Sequence, residues 1–289
     1  MTLQNSGFTN TQRSSGMPIH HSRGVRPRRG VARLWTVSPT FTPPHADLTF
    51  MTPLSEERAA RLVAFLAEGE PGTVLDIGCG WGELLLRVLV SAPDAIGEGV
   101  DLDADAIAHG QGLADARSLT DRVDLRVSDA GDLKGGWDRV ICIGASQVWG
   151  APVEELQPLP YAAALAALRS LLPRGGRLVY GDGIWTRPPT RAAVTPLAGR
   201  DDEFVTLGEV ADLAVAAGFA PLAVHEASLD EWDVFESGYA AGYARWLAEH
   251  PADHPDTGEV HALAERQRTA YFAGYRGVLG LGYLELLAV

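Results

Sequence analysis

From Pro53 onward, short apolar runs alternate with segments in which apolar residues recur every three or four positions. The short runs predict seven β-strands. They lie at residues 73–77, 95–101, 123–127, 137–143, 177–180, 221–225 and 282–287. The longer segments predict amphipathic helices. The first five lie at about residues 55–66, 82–90, 103–118, 161–172 and 206–217.

Strands that alternate with helices require crossover connections, which produce a parallel sheet covered on both faces. The predicted fold class is therefore α/β, with a seven-stranded, mostly parallel sheet. Two more helical segments precede the last strand and predict a helical hairpin inserted at about residues 230–278. In such sheets ligands bind beyond the carboxyl ends of the strands, so the residues that follow each strand are the candidates for chemistry.

The charge of the chain is divided unevenly. Residues 1–45 contain six arginines and no acid, which leaves a net charge of −19 on the remainder. We predict that residues 1–47 form a disordered basic extension and that residues 48–289 form the folded domain. A transit peptide, a nucleic-acid-binding arm or a start codon assigned too far upstream are alternative interpretations of the extension. The acidic body argues against a nucleic-acid partner.

The chain shows no sequence signal for export or for a membrane. No apolar run approaches the roughly 20 residues of a membrane-spanning helix, and no secretory apolar segment is present. Two cysteines, Cys79 and Cys142, form no disulfide framework. These features predict a cytoplasmic protein with buried thiols and no membrane partner.

A glycine-rich turn follows the first predicted strand. It reads Asp76-Ile77-Gly78-Cys79-Gly80-Trp81-Gly82 and opens a helix. Glycines let the backbone approach a ligand closely, and the start of a helix offers free N–H groups. Asp76, at the end of the strand, can hold a cationic amino group.

Acids also follow the next two strands. Asp101 stands where the second strand ends, and a carboxylate there can accept hydrogen bonds from both ribose hydroxyls. Asp129 follows the third strand and can accept from an adenine amino group.

These segments together resemble the class I S-adenosylmethionine (SAM) dependent methyltransferases. Residues 74–82 resemble the first motif of that family, 99–103 its ribose-binding acidic loop, and 129–130 its adenine-contacting turn. Residues 137–140 and 172–178 resemble the entry to its fourth strand and the turn before its fifth. The resemblance covers the chain from about Leu48 to the C-terminus, and it implies a Rossmann-like fold and SAM as methyl donor.

The resemblance also implies roles for individual residues. Residues of the glycine-rich turn would hold the methionine part of SAM, Asp101 would bind the ribose and Leu102 would pack on the adenine. Asp129 and Ala130 would contact the adenine edge, and Ile143 and Gly144 would close the pocket. The full predicted set is Asp76, Gly78, Cys79, Gly80, Asp101, Leu102, Asp129, Ala130, Ile143 and Gly144.

A nicotinamide dinucleotide site is the main alternative for the glycine-rich turn. The dinucleotide fingerprint has two residues between its second and third glycines. Here one residue separates Gly80 from Gly82, which favours SAM.

The methyl acceptor is less clearly specified. Base-modifying enzymes of this fold often carry Asn/Asp-Pro-Pro-aromatic after the fourth strand, whereas this chain has Gly144-Ala145-Ser146-Gln147-Val148-Trp149. With the acidic body, this favours a small-molecule acceptor and no nucleic acid. Methylation of a macromolecule and a non-catalytic SAM-sensing domain are the alternatives.

Residues past the later strands are the candidates for acceptor contacts. Asp182 is a weak candidate for a catalytic base, and Glu154 and Glu155 are others. Trp149 and Trp185 could stack on an acceptor. Nine of the 22 aromatic residues lie between Trp232 and Tyr283. An aromatic stripe is more often part of the core, which is the alternative, but the position of the hairpin before the last strand leads us to expect a lid with Tyr239 facing the acceptor.

His250, His254 and His261 suggest a metal site at first sight. Pro251 and Pro255 interrupt any helix there, and no cysteine or close carboxylate set completes a ligand shell. We therefore predict no metal.

Overall fold

The computed structural model of the protein describes residues 41–130, 133–150 and 158–289. The helices in these ranges are α1 (Glu56–Ala67), α2 (Glu83–Ser91), α3 (Ala104–Ala116), α4 (Tyr161–Leu171), α5 (Arg191–Val194), α6 (Leu207–Ala216), α7 (Leu229–Glu249) and α8 (Thr257–Thr269). The strands are β1 (Thr73–Ile77), β2 (Ile96–Asp101), β3 (Val123–Val127), β4 (Arg139–Ile143), β5 (Arg177–Trp185), β6 (Phe219–Glu226) and β7 (Leu279–Ala288).

The strands form one seven-stranded sheet in the order β3-β2-β1-β4-β5-β7-β6. The first five strands pair in parallel, and β7 lies antiparallel between β5 and β6. The predicted α/β class and the mostly parallel sheet are confirmed. Because β1 and β4 are central neighbours whose crossovers run in opposite directions, their carboxyl ends form the switch point where ligands bind in such sheets.

Alternation of side chains along the strands divides the core into two layers. Asp76 and Ile141 are register partners in β1 and β4, and Ile141 packs in the layer that contains α1, α2 and α7. Cys142 and Tyr180 are partners in β4 and β5 and pack in the opposite layer, with α4 and α6. Position in a strand therefore decides which layer a functional side chain reaches.

Several helices begin at polar caps that the sequence supplies. Ser55 accepts a hydrogen bond from the backbone N–H of Arg58 at the start of α1, and Asp103 accepts from two backbone N–H groups of α3. Thr206 and Ser228 each form a capping box, at α6 and α7. These side chains satisfy N–H groups that have no partner within the helix, and they fix where each helix starts.

The fifth strand is longer than predicted. The apolar run that ends at Tyr180 predicts a strand of four residues, whereas β5 continues to Trp185. Antiparallel pairing with β7 runs from Arg177–Leu287 to Trp185–Leu279 and satisfies the backbone of the additional residues. Asp182 and Trp185 therefore lie within the strand, and the prediction that they follow it is wrong.

The folded part also extends further toward the N-terminus than predicted. Phe41 is buried in a small cluster with Tyr243, Trp246 and Val260, and Asp47 forms an ion pair with Arg245. The boundary at residue 47 thus differs from the structure, since a single aromatic outside any periodic segment has little sequence signal. The predicted disorder of residues 1–40 lies outside the described residues.

The helical hairpin before the last strand is present as predicted. It consists of α7, a turn, α8 and a π-helix at Ala270–Tyr275 that takes the place of the predicted last turn of an α-helix. The widened turn lets Tyr271 and Tyr275 bind Asp233 and Glu236 of α7. Single π-turns within helices frequently occur at functional sites.

Within the described ranges, none of the helices combines the length and the apolar composition needed to cross a bilayer.

Candidate functional site

The glycine-rich turn after β1 adopts a backbone that side chains disfavour. Gly78, Gly80 and Gly82 have φ values of 69°, 55° and 69°. A Cβ on Gly78 would lie 2.6 Å from the Cβ of Ala145, and a Cβ on Gly80 would lie 3.0 Å from the sulfur of Met51. Gly82 caps α2, whose first N–H groups have no partner within the helix. The turn can therefore bring backbone N–H groups close to an anionic or polar ligand.

Asp101 connects this turn to the end of β2. Its carboxylate accepts hydrogen bonds from the backbone N–H of Gly80, at 2.7 Å, and of Asp103, at 2.9 Å. These bonds hold the carboxylate at the carboxyl edge of the sheet, beside the glycine-rich turn. Leu102 follows and is 63% exposed at the same edge, as a residue that packs on a planar ligand would be.

Asp76 is buried on the α7 side of the sheet, with 4% of its surface exposed. Burial, and secondarily the charge of Asp101, raise the pKa of Asp76 to about 8. A carboxyl group in this state favours a cationic ligand, because a positive charge would compensate for the loss of solvation.

The third predicted acid is placed beside the same loop. The backbone N–H of Ser128 donates to the carbonyl of Asp101 at 3.0 Å, so the turn after β3 is tied to the end of β2. Ala130 is buried in the core, and Asp129 lies between the two with its side chain exposed. The ends of β1, β2 and β3 thus bring Asp76, Asp101 and Asp129 to one edge of the sheet.

A cavity that is open to solvent on one side lies beside Asp76. Its floor includes Gly78 and Cys79 of the turn and Ile141 and Ile143 of β4. Gly144 follows with a φ of 70° and open space where a Cβ would lie. The predicted role of Ile143 at the pocket wall agrees with this placement.

One wall of the cavity comes from a segment with no strong sequence signal. Phe50, Met51, Thr52 and Leu54 line the cavity from a stretch that precedes α1. This segment is held by Tyr283 of β7, whose hydroxyl donates to the carbonyl of Pro53 at 2.9 Å. The resemblance includes the segment, but its contact with the donor site depends on the tertiary fold.

The hairpin packs on the chain just before this segment. Leu48 packs so closely on Gly238 that a Cβ there would lie 2.2 Å from Leu48. Tyr239, one residue on, is buried and packs against Phe235 with ring centroids 5.1 Å apart. Burial raises the pKa of Tyr239, and the nearby charge of Asp103 raises it further. Tyr239 therefore lies at the donor edge of the hairpin.

The structure separates the other acceptor candidates from the cavity. Asp182 shares a sheet face with Tyr180 in the α4–α6 layer, whereas Asp76 faces the α7 layer. Its carboxylate accepts from the backbone N–H of Gly183, at 2.8 Å, and of Ser146, at 3.1 Å. It therefore secures the turn after β4, and burial raises its pKa.

Trp149 and Trp185, the two tryptophans considered for the acceptor site, pack in the core. Trp149 packs in the α4–α6 layer, and Trp185 lies on the α7 side, edge-on to Phe204 at 4.9 Å. The indole N–H of Trp185 donates to the carbonyl of Asp201 at 2.7 Å. Glu154 and Glu155 lie outside the described residues.

Sequence reasoning missed a group of polar side chains inside the hairpin. Glu236 is 4% exposed and accepts from the hydroxyl of Tyr275 at 2.8 Å. Trp232 and Gln267 are buried next to it. One signal was available, since Glu236 interrupts the apolar face formed by Trp232, Phe235 and Tyr239 at helical spacing.

The histidines considered as metal ligands form ring contacts. His250 stacks on Trp246 with centroids 4.0 Å apart, and His254 lies edge-on to both rings. Among the residues that the structure describes, no group of three or more His, Cys, Asp or Glu side chains is arranged to hold a metal ion.

The comparisons with known proteins agree with this geometry. The family model for mycolic acid cyclopropane synthetase matches residues 57–195. This range contains β1 to β5 and the glycine-rich turn after β1, and it ends before the hairpin.

Similarity to individual proteins covers much more of the chain. It is 25% identical over 253 residues to YjhP of Escherichia coli, covering 86% of this chain and 97% of that protein. A SAM-dependent methyltransferase of Geobacter sulfurreducens, solved with S-adenosylhomocysteine, has a TM-score of 0.72 and 25% identity, with coverages of 88% and 100%. The corresponding enzyme of Thiobacillus denitrificans, also with S-adenosylhomocysteine, has a TM-score of 0.71 and 26% identity, with coverages of 85% and 96%.

The fold, the donor turn and the similarity to enzymes solved with the demethylated donor lead to one assignment. SAM is the cofactor, and the chain belongs to the class I SAM-dependent methyltransferases.

Proposed function

We propose that this enzyme methylates a small molecule enclosed between the carboxyl edge of β1 and β4 and the α7–α8 hairpin. The observation that carries the proposal is the cleft beside Asp76, which the segment from Phe50 to Leu54 lines on one side. The hairpin packs at Gly238 against Leu48, just before that segment. A cleft bordered in this way suits a small acceptor better than an extended polymer. The family model's name also refers to a lipid acceptor, although its match ends before the hairpin.

The donor half of the site follows from the three strand ends. Asp76 holds the cationic amino group, Gly78 and Gly80 admit the methionine part, and Asp101 binds the ribose hydroxyls. Leu102, Asp129 and Ala130 surround the adenine, while Cys79, Ile143 and Gly144 form the wall nearest the acceptor. SAM supplies an activated methyl group on a sulfonium, so the protein's contribution is to orient the acceptor and to exclude water.

The hairpin is the proposed lid and carries acceptor specificity. Its inner face is aromatic, and Tyr239 lies where the hairpin meets the donor loop. Of the earlier acceptor candidates, Asp182 and Trp149 face the other layer, so we assign them to the core. Trp185 lies on the α7 side of the sheet and supports the acceptor pocket from below.

A screen for S-adenosylhomocysteine release tests the proposal. The enzyme with SAM is incubated with small alcohols, phenols, amines, thiols and fatty acids, and in parallel with bulk RNA, DNA and a protein lysate. We expect release with at least one small-molecule class and none above background with the polymers. Turnover confined to a polymer would overturn the small-molecule assignment and leave the methyltransferase assignment intact.

A further inference from the structure

A buried polar cluster lies inside the hairpin, between α7 and the end of α8. It consists of Trp232, Glu236, Gln267 and Tyr275, each at most 5% exposed, and we call it the hairpin polar cluster. The Tyr275 hydroxyl donates to one carboxylate oxygen of Glu236 at 2.8 Å. The side-chain amide nitrogen of Gln267 lies 3.4 Å from the other. The rings of Trp232 and Tyr275 meet with centroids 6.4 Å apart.

Two polar atoms of the cluster lack a hydrogen-bond partner among the described residues. They are the indole nitrogen of Trp232, a donor, and the amide oxygen of Gln267, an acceptor. A buried polar atom without a partner costs free energy, and most such atoms in native proteins are satisfied. One unused donor and one unused acceptor in the same cluster indicate a ligand that both accepts and donates.

The cluster lies on α7, which packs at Gly238 against Leu48, just before the segment that lines the cavity. Glu236 and Tyr239 occupy one face of α7, three residues apart, and Phe235 contacts the rings of both Trp232 and Tyr239. After burial, the charges of Asp103 and Glu236 are the influences that raise the pKa of Tyr239. Tyr239 therefore lies within electrostatic range of both Asp103, at the start of α3, and Glu236 of the hairpin polar cluster.

The unused donor and acceptor of the cluster distinguish between the chemical groups that a methyl acceptor could present. A hydroxyl oxygen accepts one hydrogen bond and donates one, so it can satisfy the Trp232 N–H and donate to Glu236 or Gln267. A protonated amine only donates, and the nitrogen of a neutral aromatic amine is a poor acceptor because its lone pair is delocalised into the ring, so either would leave the Trp232 N–H poorly satisfied. An apolar group would leave every polar atom of the cluster without a new partner.

We propose that the hairpin polar cluster binds the hydroxyl group of the methyl acceptor, with Trp232 donating to its oxygen and Glu236 receiving its proton. The inference rests on the proposed function and names its substrate class, an alcohol or phenol. The hydroxyl oxygen forms a bond to the methyl carbon while the carbon–sulfur bond of the donor breaks. The electron pair stays on sulfur, which leaves S-adenosylhomocysteine, and the hydroxyl proton passes to the carboxylate of Glu236.

The electrostatics of the cluster are compatible with this role. Burial raises the pKa of Glu236 to about 7, while hydrogen bonds from Tyr275 and Gln267 lower it in part. A carboxylate with a pKa near neutrality both exists in the ionised form at neutral pH and holds a proton well.

Binding of three isosteric probes tests the proposal without turnover. Phenol, aniline and toluene differ in one substituent, and their dissociation constants are measured by protein-observed NMR in the presence of saturating S-adenosylhomocysteine. We expect phenol to bind roughly tenfold more tightly than toluene, the effect of one or two hydrogen bonds, and more tightly than aniline.

Two variants and one control locate the effect. Glu236→Gln keeps the shape of the side chain, and Trp232→Phe removes the N–H while it keeps an aromatic ring. Each should weaken phenol binding relative to toluene roughly 3- to 30-fold. Asp233→Asn is the matched control, because Asp233 also lies on α7 and accepts from a tyrosine of the π-helix, at 2.6 Å, but lies outside the cluster. It should leave the binding of all three probes unchanged. Thermal melts confirm that each variant is folded.

Equal affinities of the folded wild type and of both cluster variants for phenol would overturn the proposal, as would the absence of a preference for phenol over toluene. The proposed function fails separately. If the acceptor screen finds turnover with amines or thiols but not with hydroxyl compounds, the small-molecule function stands and the hydroxyl assignment is overturned. If phenol binds as expected but only polymers are methylated, the proposed function is the part that fails.

Discussion

At the scale of single residues, Asp76 couples proton binding to donor binding. With a pKa of about 8, its buried carboxyl is mostly protonated at pH 7 in the free protein. A bound ammonium group would favour the ionised form and lower that pKa. We therefore expect S-adenosylhomocysteine binding at pH 7 to release close to one proton. Calorimetry in phosphate and Tris buffers measures this number from the dependence of the binding enthalpy on the buffer.

The same residue gives an expectation for the free protein. Because the folded pKa of Asp76 lies above its unfolded value, its contribution to stability is largest below about pH 4 and is lost as the pH rises through about 8. Asp76→Asn should remove both the proton release and this part of the pH dependence. Unchanged proton release in the variant would assign the titration to another group.

A second prediction at this scale concerns the contribution of Asp101 to donor binding. Asp101→Ala should weaken S-adenosylhomocysteine binding by about 1–3 kcal/mol, since it removes hydrogen bonds to a charged acceptor. It also removes the anchor of the Gly80 and Asp103 backbone. Calorimetric dissociation constants measure the effect, with the exposed Asp121→Ala as control. If both variants bind like the wild type, the ribose lies elsewhere.

At the scale of elements, a buried ion pair joins the hairpin to the domain. Arg58 of α1 and Glu231 of α7 meet at 2.9 Å, with side chains 9% and 5% exposed. Burial by itself would raise the pKa of Glu231, but Arg58 and the N–H groups of Ser228 and Ser55 lower it to about 2. The hairpin is therefore fixed to α1 at its base.

Removing one partner of this pair should be costly. Glu231→Gln is expected to lower the free energy of unfolding by about 3 kcal/mol, because it leaves the charge of Arg58 buried without a counter-charge. The exposed pair Arg61–Glu57, at 3.9 Å, provides the control, and Glu57→Gln should cost less than about 1 kcal/mol. Urea unfolding compares the two.

The acid dependence gives a second measurement on the same pair. The contribution of Glu231 should be complete above about pH 4.5 and decline as the pH falls toward 2, because its folded pKa is depressed. Equal unfolding midpoints for Glu231→Gln and the wild type at neutral pH would show that the pair does not anchor the hairpin.

At the scale of the whole molecule, residues 41–47 are part of the fold. Phe41 packs edge-on against Tyr243, with centroids 5.0 Å apart, and Asp47 pairs with Arg245 of α7. We expect a chain that begins at Leu48 to be less stable than one that begins at Phe41 by about 1–3 kcal/mol, the value of burying one aromatic side chain. Thermal and urea unfolding of both chains measure the difference.

Phe41→Ala in the full chain separates the side chain from the truncation itself. It should reproduce most of the loss, because the ion pair of Asp47 is exposed on one side and contributes little. Identical stability of the two shortened chains would show that the folded domain begins at residue 48.

The sequence by itself determined the sheet, the donor and the family. Alternating periods define the strands, and Asp76, Asp101 and Asp129 each follow a strand directly, so their meeting at one edge follows from parallel pairing alone. The glycines of the turn carry the same information, because their backbone conformation excludes other residues locally. These signals depend on near neighbours in the chain.

The placement of the side chains considered for the acceptor site depends on the tertiary structure. Pairing with β7 extended β5 and placed Asp182 in the layer away from Asp76, a consequence of strand parity that no local pattern encodes. Glu236, Gln267 and Tyr275 come together across a hairpin, and Phe41 packs on a helix some 200 positions later. Such contacts depend on how distant elements pack. The sequence therefore specifies the residues at the carboxyl ends of the first three strands, and packing of the hairpin decides which of its side chains meet.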